Sequence, residues 1–277
     1  MPELFDTDRF HHDLRTTWLG REFIYIEETH STNSYLKAKT SRELIHGTVA
    51  LTDHQTRGRG QYERSWESEQ GKNLTFTIAF RPKEASRLNL LSLASAYATA
   101  RALELHLDKG VSLKWPNDLM VAGKKVGGLL TESVFSGERP ERILIGIGLN
   151  VNQEQFPKKL CPKATSMQIL AGKACPREKM LCDILVEMEQ VYHAWEREVP
   201  GLQQEVCKKM VGYGDWVYLS INGEVLDKMF KFIGIGKRGE LLMLNEQLDV
   251  NTFRYEQVRI ITSHQRVSPA DEHTSTR

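Results

Sequence analysis

The run Ile143-Leu144-Ile145-Gly146-Ile147-Gly148-Leu149 constrains the fold of this chain more than any other feature. It is short, strongly apolar and bounded by polar residues, which reads as a central strand. Two long helices are expected beside it. Residues 88–107 are rich in Leu and Ala with no Gly or Pro, and residues 179–198 end at Pro200-Gly201. Residues 23–26, 48–51 and 73–80 read as further strands, and two more flank a tight turn at Gly123-Lys124. In residues 73–80 Leu74, Phe76 and Ile78 fall on one face. His30-Ser31-Thr32-Asn33 offers N-caps for a helix through Tyr35 and Leu36, and Phe10, Leu14 and Trp18 have helical spacing. The expected class is α+β, a mixed sheet with flanking helices.

After Gly212 the texture changes. Val217, Leu219 and Ile221 alternate, Asn222-Gly223 is a hairpin signal, and Arg238-Gly239 marks another turn before residues 241–244. Phe253, Tyr255 and Val258 close a series of short strands that suggests a small β-barrel. The expected division is a larger domain over 1–212, a β domain over 213–264 and a disordered polar tail over 265–277.

A formal charge of +1 argues against a chain whose main task is to hold nucleic acid. Cys161, Cys175, Cys182 and Cys207 form no Cys-x-x-Cys pair, so they read as reduced thiols of a cytoplasmic protein. Glu3, Asp6 and Asp8 do not suit a signal peptide, and no stretch approaches the roughly 18 apolar residues of a membrane span.

Three motifs bear on chemistry. The loop from Gln55 to Trp66 alternates glycine with arginine through Arg57-Gly58-Arg59-Gly60, directly after an apolar strand. Glycine lets backbone approach a ligand and arginine offers paired donors to phosphate or carboxylate, although a solvated surface loop would look the same. Lys114-Trp115-Pro116-Asn117-Asp118 ends a strand-like run in a proline break, where Asp118 is the natural Mg²⁺ candidate and a plain turn is the alternative. Lys124-Lys125-Val126-Gly127-Gly128 places paired glycines in a strand, which points either to a ligand near the backbone or to a bulge. Gly146 and Gly148 likewise leave a groove for a ligand or for a packed helix.

In this order, Ser31-Thr32-Asn33, Gly58-Arg59-Gly60, Lys114-Trp115-Pro116-Asn117-Asp118, Lys125-x-x-Gly128 and Gly146-x-Gly148-x-Asn150 resemble the biotin protein ligase family. The resemblance runs from about Phe23 to the end of the chain. It implies a class II aminoacyl-tRNA synthetase-like catalytic domain followed by an SH3-like β-barrel. About thirty residues precede Ser31, too few for a helix-turn-helix domain, so the type without DNA binding is expected. The implied activity joins biotin to ATP as biotinyl-5′-AMP and passes it to a lysine of a biotin carboxyl carrier domain. A monomer or homodimer without membrane attachment is expected. A lipoate protein ligase and a non-catalytic binding protein of the same fold are the competing readings.

The resemblance assigns biotin contacts to Ser31, Thr32, Asn33, Gln55, Gly58, Arg59, Gly60, Gln61, Trp66, Lys125, Gly128, Gly146 and Gly148. It assigns ATP contacts to Arg59, Gln61, Arg64, Lys114, Asn117, Lys125 and Asn150, catalytic roles to Lys125 and Arg59, and a Mg²⁺ ligand to Asp118. The sequence departs from the family at Tyr62-Glu63-Arg64, where many members continue with arginine and glycine. Glu63 puts one basic phosphate contact in doubt there.

Overall fold

Seven strands form the first sheet: β1 (Phe23–Thr29), β2 (Thr48–Gln55), β3 (Leu74–Phe80), β4 (Ser112–Lys114), β5 (Asp118–Val121), β6 (Lys124–Ser136) and β7 (Arg139–Leu149). The helices are α1 (Thr7–Asp13), α2 (Thr32–Ala38), α3 (Leu88–Glu104), α4 (Met167–Ala171), α5 (Arg177–Glu196) and α6 (Leu202–Lys208). A second sheet follows, of β8 (Trp216–Ile221), β9 (Glu224–Ile235), β10 (Leu241–Leu244), β11 (Val250–Phe253) and β12 (Val258–Ile261). This computed structural model describes residues 4–40, 42–61, 64–82, 86–137, 139–161, 163–254 and 258–261. Tyr62, Glu63 and the expected tail over 265–277 lie outside the described residues.

The first sheet runs β1-β2-β3-β7-β6-β5-β4, with β1 parallel to β2 and every other pair antiparallel. It is the expected mixed sheet, and the apolar run is its central strand β7. Because side chains alternate along a strand, the register sorts the sheet into two unlike faces. One carries Val49, Leu51, Leu74, Phe76, Ile78, Phe80, Ile143, Ile145 and Ile147, all buried in one core with α3 and α5. Burying each such side chain stabilises by about 1.5–3 kcal/mol, so this face anchors the fold. The opposite face is built from small and polar residues. Across it Thr52 pairs with Thr75, Thr75 with Gly148 and Gly148 with Gly128, while Ala50 pairs with Thr77, Thr77 with Gly146 and Gly146 with Leu130. On this face lies α2, whose Leu36 packs with Ala50, Ala79 and Leu144 in a separate apolar cluster.

The structure corrects several expectations. The opening helix stops at Asp13, so Trp18 is outside it. The reason is Glu189 of α5, whose carboxylate accepts the backbone N–H groups of Thr17, Trp18 and Leu19 at 2.8–3.1 Å and draws them away from a helical ladder. α4 and α6 were not anticipated. Both are short, of 5 and 7 residues, below the length at which periodicity declares itself. The expected hairpin at Asn222-Gly223 is present, with φ of 52° and 94°, the pair of positive values that a type I′ turn needs. The second sheet runs β11-β10-β9-β8-β12, and among the described residues no pairing joins β11 to β12, so it is open where a barrel was expected. No helix among the described residues is long and apolar enough to cross a membrane.

Candidate active site

One cross-strand row of the small-residue face gathers the motifs. Lys114 pairs with Asp118, Asp118 with Gly128, and Gly128 with Gly148, so these positions share a face at one level of the sheet. Lys125, three residues before Gly128, would by plain alternation point the other way. A register shift corrects this: Leu119 faces Gly127 but Met120 faces Lys125, leaving Val126 as the extra residue of a bulge. The bulge turns Lys125 onto the site face, where its Nζ lies 2.5 Å from Asp118 Oδ1. A Cβ on Gly128 would come within 3.2 Å of that Nζ and 3.4 Å of Asp118 Oδ1. The bulge therefore falls on Val126 beside the paired glycines, and Gly128 leaves room beside Lys125 and Asp118.

The glycine-rich loop folds over the same row. Gly58 sits against the loop's own return, since a Cβ there would meet the Trp66 carbonyl at 2.3 Å and Gln55 Nε2 at 2.8 Å. Trp66 N–H donates to Gly58 O at 2.9 Å, and Gly60 N–H to Arg64 O at 2.6 Å. The Trp66 indole lies on Gly148, whose added Cβ would be 2.4 Å from its ring, and Lys125 Nζ is 5.9 Å from the ring centroid. Trp66 Nε1 is buried and has no hydrogen-bond partner among the described residues, so a donor is aimed into the site.

The start of α2 forms a second cluster one row along. Ser31, Thr32 and Asn33 are buried. Gln55 Oε1 accepts the Thr32 N–H at 2.9 Å, and the Thr77 hydroxyl lies 2.7 Å from Thr32 Oγ1 and 2.6 Å from Asn33 Oδ1. Asn33 lies over Gly146, where a Cβ would be 2.2 Å from its Oδ1. Arg59 reaches this cluster: its Nη2 donates to Glu132 Oε2 at 2.8 Å, the oxygen that also accepts Asn33 Nδ2 at 2.8 Å. Arg59 and Lys125 therefore engage different carboxylates on one face of the sheet, Glu132 of β6 and Asp118 of β5.

The remaining expected residues are placed as follows. Asn117 Nδ2 donates to Leu129 O and Leu129 N–H returns the bond to Asn117 O, fixing the turn of Trp115–Asn117, with its cis Trp115–Pro116 peptide, to β6. Asn150 is buried, with Nδ2 on Thr165 O, and supports the start of α4. Gln61 Oε1 accepts from Arg259 of β12 at 3.4 Å, so the second sheet touches the loop. Arg64 is exposed. Burial pushes the Lys114 ammonium below its ordinary value; Asp118 pulls it back up, while Lys163, Lys125 and Arg259 push it down further. Thr75, Thr77, Glu132, Lys163 and Arg259 were missed. For Thr75, Thr77 and Glu132 the signal was available: the two threonines alternate with Leu74, Phe76 and Ile78 and so fall on the opposite face, while Glu132 follows in step with Gly128 and Leu130.

As a metal site, Asp118 stands without other ligands: no group of three or more His, Cys, Asp or Glu among the described residues could hold an ion. One carboxylate suits Mg²⁺ that arrives on nucleotide phosphates and keeps its waters, rather than an ion held by protein alone.

Residues 25–150 match the biotin/lipoate A/B protein ligase family. The bifunctional ligase/repressor BirA of Bacillus subtilis is 33% identical over 182 residues, 65% of this chain and 56% of that protein. The chain therefore spans just over half the length of that relative. The biotin--[acetyl-CoA-carboxylase] ligase of Mycobacterium tuberculosis is 28% identical over 209 residues, 73% of this chain and 76% of that protein. Among solved structures, the biotin protein ligase from Aquifex aeolicus in complex with biotin and ATP superposes with a TM-score of 0.76 at 29% identity, covering 88% of this chain and 100% of that one. The fold, the ordered motifs and these likenesses point the same way: residues 25–150 carry the pattern of the biotin/lipoate A/B protein ligase family, and the chain is similar to biotin protein ligases.

Proposed function

We propose that the protein activates biotin with ATP and transfers it to a lysine of a biotin carboxyl carrier domain. The observation that carries this reading is the row Lys114-Asp118-Gly128-Gly148, with Lys125 turned onto it and the glycine-rich loop folded above. In the first step a biotin carboxylate oxygen attacks the α-phosphorus of ATP, and the bond to the leaving pyrophosphate breaks. Both reactants are anionic, so cations at the meeting point lower the barrier most. Lys125 and Lys114 stand there, and Asp118 would hold a Mg²⁺ whose charge offsets that of the phosphates. Ser31, Thr32, Asn33 and Gln55 supply the mixed donors and acceptors that a ureido ring needs, and Trp66 covers its apolar part. Gly58, Gly60, Gly146 and Gly148 let backbone and ligand approach. Gln61, Arg64, Asn117 and Asn150 complete the nucleotide side, with Arg59 bridging the two.

In the second step the acceptor amine attacks the acyl carbon, loses a proton, and AMP departs. The loop keeps water from the mixed anhydride. The finer parts of the reading are a catalytic domain over 1–212, an SH3-like β domain over 213–264, and action in the cytoplasm. The test is exchange of labelled pyrophosphate into ATP, run with biotin and with lipoate, then transfer to a purified carrier domain. Biotin-dependent exchange followed by transfer is expected. Exchange with lipoate alone, or with neither acid, would refute the assignment.

A further inference from the structure

Glu132 is a carboxylate in the middle of β6, on the site face of the sheet, and its side chain is only 18% exposed. Acidic residues are uncommon in strands, and a half-buried charge is costly unless it is partnered. Its three partners come from two separate elements, the glycine-rich loop and α2. Oε2 accepts Arg59 Nη2 from the glycine-rich loop and Asn33 Nδ2 from α2, both at 2.8 Å, and Oε1 lies 3.7 Å from Lys37 Nζ.

We propose that Glu132 is a positioning residue for acid activation, one carboxylate that both latches the loop through Arg59 and fixes the orientation of the Asn33 amide. The inference rests on the biotin reading of Arg59 and Asn33 given above. The latch follows from charge: the Arg59–Glu132 bond joins the loop to the central sheet. Fixed orientation follows from donor accounting. A carboxylate only accepts, so Asn33 must turn Nδ2 toward it, and that nitrogen also reaches Leu130 O at 3.3 Å. Asn33 Oδ1 is then directed at the Thr77 hydroxyl. That hydroxyl has one proton; when it goes to Asn33, the Thr32 proton can fill the Thr77–Thr32 contact. Glu132 thereby sets the direction of hydrogen bonds along Thr32, Thr77 and Asn33, the groups proposed to read the ureido ring.

Glu132→Gln is the direct test, because it keeps the shape while removing the charge and offering a donor where only an acceptor stood. The KM for biotin in pyrophosphate exchange should rise about tenfold with kcat within about threefold of the parent, a split that general loss of structure would not give. Independently of activity, trypsin should cut the biotin-free protein after Arg57, Arg59 or Arg64 at least about fivefold faster than the parent. A parent-like KM, a fall in kcat alone, or parent-like cleavage would overturn the proposal. If neither protein shows biotin-dependent exchange, the biotin reading fails and the cleavage comparison alone decides the latch. Should E132Q melt more than about 5 °C below the parent, E132D is measured by the same two assays, with shifts in the same directions expected.

Discussion

A single methyl group added at Gly146 and at Gly148 should give two different failures, although both glycines face the same side of β7. At Gly146 the new Cβ would lie 2.2 Å from Asn33 Oδ1. Asn33 cannot yield, because it is buried at the start of α2 and tied to Leu130 O, Glu132 and Thr77. Relief requires α2 to lift or those bonds to lengthen. Overpacking costs about 1–3 kcal/mol, and weakening one buried polar contact adds about 1. Replacing glycine by alanine in extended backbone returns about 0.4–1 kcal/mol through the unfolded chain. Gly146→Ala should therefore lose roughly 2 kcal/mol, a fall in Tm of about 4–8 °C for a domain of about 200 residues. At Gly148 the Cβ would meet the Trp66 ring at 2.4–2.8 Å, a loop side chain that can swing away. Gly148→Ala should melt within about 2 °C of the parent, yet raise the KM for biotin at least about tenfold, or 1.4 kcal/mol, by displacing the indole. Calorimetry and pyrophosphate exchange on both variants measure this. Equal losses of Tm, or a Gly148→Ala protein with unchanged KM, would refute the assignment of one glycine to a fixed helix and the other to a movable loop.

Lys125→Ala and Asp118→Asn should each lower biotin-dependent exchange at least about 100-fold with little change in Tm, because the pair is partly exposed and carries chemistry rather than packing; loss of less than tenfold in Lys125→Ala would remove it from the catalytic step. Burial pushes the Glu189 carboxyl up, but the N–H groups of Leu19, Thr17 and Trp18 and the Thr17 hydroxyl outweigh it and hold the group below its ordinary 4.5. Its contribution, about 2 kcal/mol, is thus present above pH 4.5 and is lost as pH falls toward the lowered folded value, so denaturant titrations of the parent and Glu189→Gln should converge only in acid. Of the four thiols only Cys161 is exposed, while burial raises Cys175, pushes Cys182 to about 12 and Cys207 to about 11. A disulfide reagent at pH 8 should therefore titrate one thiol rapidly and the other three only after unfolding, and two fast thiols would contradict the packing of α5 or α6.

The sequence made the central elements legible because they obey a single rule each. The run at residues 143–149 could only be a buried strand, and Asn222-Gly223 could only be a tight hairpin. The site motifs were legible as types, since a glycine inside a strand asks for an explanation wherever it occurs. What stayed hidden depended on partners distant in the chain. Trp18 has helical spacing from Phe10 and Leu14, but Glu189, about 170 residues away, claims the backbone donors around it. Lys125 reads as a turn residue until the bulge at Val126 reverses its side. Arg59 reads as a free phosphate donor until β6 brings up Glu132. Arg259 could not be linked to the loop at all, because only the docking of the second sheet brings β12 to Gln61.

Two of the cations on which the adenylation reading leans are held by carboxylates of the central sheet, Lys125 by Asp118 and Arg59 by Glu132. Two bare positive charges on this face would attract an anion more strongly, yet they would also repel each other, wander among rotamers and lose solvation for no return. Pairing each with a fixed carboxylate gives up part of that attraction and gains position. A reacting phosphorus responds to a misplacement of one ångström more than to a small change in mean field, so the exchange favours the transition state over simple affinity. The small-residue face serves the same end from the other side. Glycine at 128 leaves room beside Lys125 Nζ and Asp118 Oδ1, while glycine at 146 and 148 admits Asn33 and the Trp66 indole against the sheet. The bulge, the paired charges and the missing side chains are therefore three parts of one arrangement, in which backbone register places Lys125, Asp118, Glu132 and the glycines and the loop brings Arg59 to them.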